Sequence, residues 1–139
     1  MLMKFIVTAL FCFSAIFLSA QEGMYNAEEK AREMTTVYTE KYQLRSDQAD
    51  KMEKIQLRKF LQINKLSLVK DQDPVFYIEK MEALDSGTDG SIRLLLDERQ
   101  LANYIEDQIE LRKKRAELVA KLKKEGKSEL EIREARLMW

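Results

Sequence analysis

The chain has 139 residues, with 24 Lys+Arg, 24 Asp+Glu, no His, four Gly, one Pro and one Cys. That length suits one domain with a small core, and the missing His removes Ser-His and Cys-His catalysis, His-ligated metals and the usual neutral-pH proton shuttle. Zero net charge gives no overall pull toward nucleic acid, and the scarcity of Gly and Pro points to helices joined by few turns.

Residues 1–20 read as a targeting segment rather than as part of the fold. Lys4 supplies a short positive start, Phe5 to Leu18 is almost wholly apolar, and Ser19-Ala20 are small residues before Gln21. This is the layout of a secretory signal peptide with cleavage after Ala20. The competing reading, an uncleaved anchor, needs about 20 apolar residues to span a bilayer, more than this stretch has. Cys12 follows Phe11 inside the apolar stretch, which is not the arrangement of a lipidation site. The remaining residues, 21–139, form a single helical domain with no cysteine. Such an exported chain must hold together by helix packing or oligomerisation.

Along 21–139 the apolar residues recur at helical spacing between readable caps. Asn26, with Glu29 three residues on, starts a helix carrying Ala27, Ala31, Met34, Tyr38 and Tyr42 to about Leu44. A break at Leu44–Asp47 follows, with Ser46 or Asp47 able to cap a second helix running to about Lys70. That helix has two apolar faces. One carries Met52, Ile55, Ile63 and Leu66; the other carries Leu57, Phe60, Leu61 and Leu68. It therefore lies centrally between neighbours, or one face meets another subunit or a client. Asp73 and Pro74 form an N-cap and first-turn pair for a shorter helix to about Asp85. Ser86-Gly87-Thr88-Asp89-Gly90-Ser91 reads as a loop, and Ile92 to Leu96 as a single helical turn. Asp97, with Gln100 at the reciprocal position, opens the longest helix, to about Lys124. Gly126 ends it, and Ser128 with Glu131 opens a last short helix through Trp139. No segment sustains a period-two alternation, so the expected fold is all-α: long amphipathic helices forming hairpins, with no sheet.

One pattern repeats. Leu44 and Gln48, then Leu96 and Gln100, place Leu and Gln four residues apart at two helix starts separated by 52 residues. The Leu can plug the corner between helices while the Gln closes the cap. A local helix-start signal and a true internal repeat both fit.

Two such motifs in a small exported helical chain resemble the Spy/CpxP family of periplasmic stress proteins, whose motif reads Leu-Thr-x-x-Gln. The similarity covers about residues 28–122 and includes the approach segment AREMTTVYTEKYQL. Arg45 and Asp97 stand where the family has Thr; Asp97 keeps the capping chemistry and Arg45 does not. The resemblance implies a thin, curved dimer of helical hairpins. It also implies either ATP-independent chaperone activity or control of an envelope stress sensor. Relatives that bind metals do so through His, which this chain lacks, so neither a metal nor any other cofactor is carried over.

Charge is placed unevenly. Residues 71–110 hold eleven acidic and three basic residues, and residues 112–127 hold eight basic and two acidic. Arg112, Lys113, Lys114 and Arg115 fit an electrostatic landing surface for unfolded or acidic partners, and fit better a solvated face neutralised by the acidic half of the same or a partner chain. Adjacent acids such as Asp97/Glu98 and Glu106/Asp107 face different directions on a helix and do not converge for catalysis. The methionines are dispersed and read as core fillers, and Trp139 as a terminal packing anchor. The expectation is therefore a non-enzymatic, periplasmic interaction protein without cofactors, nucleic-acid binding or stable membrane insertion after cleavage near Ala20. It would be a homodimer that acts on unfolded or envelope proteins, with Leu57, Phe60, Leu61 and Leu68 as a client or dimer surface. The alternative is a scaffolding coiled-coil subunit of the envelope.

Overall fold

The computed structural model describes residues 24–138; the signal-like segment, Cys12 and Trp139 lie outside them. Five helices follow in order: α1 (Ala27–Tyr42), α2 (Ser46–Ser67), α3 (Pro74–Leu95), α4 (Glu98–Lys124) and α5 (Glu129–Leu137). No strand occurs among the described residues, and the fold is all-α.

The helix ends obey the cap chemistry in most places. The Asn26 carboxamide accepts from the Glu29 N–H, Asp73 from the Phe76 N–H with Pro74 in the first turn, and Ser128 from the Glu131 N–H. α4 ends in a Schellman-type turn. Gly126, at φ 73°, donates to the Lys123 carbonyl, and Lys127 donates to that of Leu122. The start of α2 departs from expectation. Its N-cap is Arg45, which has no acceptor to offer; neither Ser46 nor Asp47 caps, because both already have helical backbone. α1 ends on Gln43 in the left-handed region, φ 54°. That conformation costs a non-glycine residue about 1 kcal/mol, and here it aims the Gln43 carbonyl at Gln100.

α1, α2 and α3 form an antiparallel layer with α2 in the middle, packed on both neighbours. α2 thus has a neighbouring helix on either side, with Leu61 and Leu68 left exposed. The N-terminal edge is tied down by Tyr25. Its N–H and carbonyl both bond the Asn64 carboxamide, at 2.9 and 2.8 Å, and its ring meets Phe60 edge-on at 5.4 Å. α4 leaves the end of the layer where α1 and α2 join. It touches α1 there, does not pack extensively along α3, and is otherwise supported by α5.

Residues 86–91 correct the sequence reading. They are helical, and α3 runs unbroken through them, so Ile92 to Leu96 is the end of that helix rather than a separate turn. Two helical glycines cost about 1 kcal/mol each relative to Ala. Tertiary contacts offset this. Thr88 and Ile92 are buried, Asp89 bonds Arg93 one turn on and Tyr104 across on α4, and Ser91 Oγ bonds the Gly87 carbonyl while accepting from Arg58. Of the small polar residues that looked like a loop, Asp89 and Ser91 are satisfied within the helix or by its neighbours.

Candidate functional site

The main core cluster lies where the two repeated motifs meet: Tyr42, Leu44, Met52, Ile92, Leu96 and Tyr104. At its centre are two buried glutamines. Gln48 Nε2 donates to Gln100 Oε1 at 2.8 Å, and Gln100 Nε2 donates to Gln48 Oε1 at 3.0 Å. Each oxygen also accepts the backbone N–H at its own helix start, from Arg45 and Asp97 respectively, both at 3.0 Å. Each nitrogen also donates to the chain just ahead of the other motif: Gln48 to the Leu95 carbonyl at 3.0 Å, Gln100 to that of Gln43 at 3.2 Å. Every donor and acceptor of both amides is used.

The pattern is a local two-fold. Residues 43, 44, 45, 48 and 52 correspond to 95, 96, 97, 100 and 104, all offset by 52. Leu44 and Leu96 are buried beside the amides, and Met52 is matched by Tyr104. The asymmetry falls where the motifs differ. Asp97 Oδ1 accepts from the Gln100 N–H, completing a capping box, whereas Arg45 contributes only its backbone. Its guanidinium reaches Asp97 at 3.4 Å across the dyad and Asp47 at 3.3 Å, both largely in solvent.

Beside this lock, three tyrosine rings meet at steep angles: Tyr42 lies 5.6 Å from Tyr38, tilted, and 5.7 Å from Tyr104, edge-on. The Tyr42 hydroxyl donates to Asp107 at 2.6 Å and that of Tyr104 to Asp89 at 2.8 Å. Lys41 and Arg93 complete the pairs at 2.8 and 2.6 Å. Burial, together with these donated bonds, pushes both Tyr42 and Tyr104 well above the ordinary phenol value. Burial alone would raise the two carboxyls as well. The bonds from Arg93 and Tyr104 outweigh it at Asp89, and those from Lys41 and Tyr42 at Asp107, so both lie below the usual carboxylate range. These pairs fix the root of α4 to α1 and α3. Sequence reading missed them because Asp89 looked like loop, and because Tyr104 draws meaning only from its correspondence to Met52.

Two open clefts flank α5. One, of about 650 Å³, has an apolar floor of Phe60, Ile63, Tyr77, Met81 and Leu84, with Lys59, Lys70, Asp71, Asp85 and Glu134 also lining it. The other, of about 720 Å³, lies between α1, α3, α4 and α5 and includes Tyr38, Tyr104, Leu111, Arg112 and Arg115.

The sequence-predicted surfaces are distributed over these features. Phe60 is half-buried under Tyr25 and faces the first cleft, Leu57 is half-buried, and Leu61 is exposed. Leu68, the C-cap of α2 with helical backbone, is 65% exposed, so the four differ in burial, two in water and two half-covered. Arg112, Lys113 and Lys114 are exposed, whereas Arg115 turns inward to Asp85 at 3.5 Å. Among the described residues no group of three or more His, Cys, Asp or Glu is placed to hold a metal ion, and no helix is long and apolar enough to cross a membrane. Comparison with family models, with curated proteins and with solved structures gave no match.

Proposed function

We propose that the chain is an exported helical interaction protein of the Spy/CpxP type. On this reading it is an ATP-independent periplasmic chaperone or envelope-stress adaptor that binds exposed apolar segments of other proteins. The observation that carries this reading is the pair of open clefts beside α5, the first with an apolar floor and a rim of mixed charge, the second with a polar lining in which cations outnumber acids. An unfolded segment placed there would bury its apolar side chains against Phe60, Ile63 and Met81. Lys59, Lys70 and the exposed Arg112–Lys114 run would speed encounter with acidic clients. Export rests on the layout of residues 1–20, and the reading assigns no catalytic step. Exposed Leu61 and Leu68, with an acidic middle and a basic α4, favour a homodimer in which opposite charges of two copies face each other.

The test is light scattering of two unrelated denatured proteins diluted into buffer, with the purified chain present and nucleotide absent. Suppression of both at near-stoichiometric ratio supports the proposal. Unchanged scattering from both, with the chain fully helical by circular dichroism, overturns it. The same separation of charge also favours a scaffold that joins copies or a single partner, and that is the reading to which this second outcome would lead.

A further inference from the structure

α5 sits across the molecule rather than inside it. Lys59, Asp85 and Leu137 line both clefts, so the clefts are two parts of one groove along α3 that α5 divides. The attachments of α5 are few. Ile132 is its one buried side chain. Arg133 makes a two-pronged bond to Glu82, at 2.7 and 3.3 Å, and Glu134 pairs with Lys70 at 2.7 Å. All four charged groups are partly in solvent, where ion pairs contribute little. A nine-residue helix has little stability of its own, and the turn at Gly126 joins it to α4 through a short exposed segment.

We propose that this groove is a binding site for short amphipathic helices and that α5 is its built-in occupant, displaced by a partner helix of the same chemistry. The proposal deepens the client-binding reading above and rests on it. α5 itself supplies the specification. The partner carries an apolar residue where Ile132 sits, then a cation to meet Glu82 and a carboxylate to meet Lys70, and a second apolar residue five positions on, as Leu137 follows Ile132. An unfolded or amphipathic envelope segment with that order would compete with α5, and the release of α5 would join the two clefts into one longer surface.

The experiment uses the full chain and a fluorescein-labelled peptide with the sequence of residues 127–138, followed by anisotropy. Arg133→Glu sets two carboxylates against each other and loosens the strap while leaving the groove able to take the unmodified peptide. The variant should bind that peptide about tenfold more tightly than the unmodified protein, the scale of turning a two-pronged ion pair into a repulsion. Adding Glu82→Arg to Arg133→Glu restores an attractive pair within the chain and should abolish peptide binding. Equal binding by Arg133→Glu and the unmodified protein overturns the proposal. Hydrogen exchange on the unmodified protein gives a second reading that needs no variant. Amides of α5 should exchange at least tenfold faster than those of α1 and α2, and equal protection makes α5 part of the core and also overturns it. Suppression of aggregation without peptide exchange would remove the strap alone. Peptide exchange without suppression would remove the chaperone reading alone.

Discussion

Replacing Gln48 with Met tests whether the reciprocal glutamines act as one unit. Gln48 is almost wholly buried and makes four bonds. A methionine keeps the volume and removes all four. The Leu95 carbonyl and the Arg45 N–H lose their partner, and the Gln100 amide is left with one donor and part of its oxygen facing an apolar side chain. A net bond contributes about 1 kcal/mol, and a buried polar group left unpaired costs about 1–3 kcal/mol. The single change should therefore cost about 3 kcal/mol, a large share of the stability of a domain this size. Gln100→Met should cost about as much, by the local two-fold. The double variant is the informative one. It removes both amides, so neither is stranded, and only the four backbone groups lose their partner. Its cost should be about 4 kcal/mol, roughly 2 kcal/mol less than the two single losses combined. Urea melts followed by circular dichroism at 222 nm measure all four corners of the cycle. Additive losses, within about 0.5 kcal/mol, would mean that the two side chains do not depend on each other, and the account of the lock would be wrong.

Two other expectations follow from particular contacts. Gly87→Ala and Gly90→Ala should each stabilise the protein by up to about 1 kcal/mol, because both positions are helical and a Cβ at either meets nothing within 4 Å; a drop in melting temperature would restore a special role for residues 86–91. Asp89 and Asp107 have folded-state values below their ordinary ones, so the stability they contribute is present above the unfolded-state value near 3.8 and is lost as pH falls through their folded values. Melts below pH 4 should show that acid limb shrinking in Asp89→Asn and Asp107→Asn, and an unchanged limb in both would refute the assignment.

How much of this was legible in the sequence depended on whether the signal was local. Asn26, Asp73, Asp97 and Ser128 cap as their side chains dictate, since a cap is decided within four residues. The pairing of Gln48 with Gln100 was visible only as a spacing of 52; that the two amides face each other follows from how α2 and α4 pack. Residues 86–91 went the other way. Their composition is that of a turn, yet Asp89 and Ser91 each find a partner on α3 or beyond it, and buried Thr88 and Ile92 hold the segment against its neighbours. Local propensity was overridden by contacts that no window of a few residues contains. The stripe through Leu57, Phe60, Leu61 and Leu68 is only partly in water for a related reason: Leu61 and Leu68 are exposed, but Tyr25, thirty-five residues earlier, covers Phe60.

The placement of these features divides the molecule mechanically. The glutamine pair, the two Tyr–Asp bonds and the main apolar cluster all lie at the end where α1 meets α2 and α3 meets α4. Breaking the glutamine pair or either Tyr–Asp bond leaves polar groups unpaired. The far half of α4 has no buried side chain beyond Tyr104, and is supported through α5 and the Arg115–Asp85 pair. Local stability follows buried contact density, so the α4 tip and α5 should open at free energies far below that of the whole fold. The α5 side of the groove lies in that half, while the second cleft reaches Tyr38, Asp89 and Tyr104 at the locked end. On the client-binding proposal such a surface needs walls that can move apart without loss of the fold, and the second copy of the motif would supply the means. By locking the root of α4 to the root of α2, it lets the remainder of α4 move while the three-helix layer stays intact.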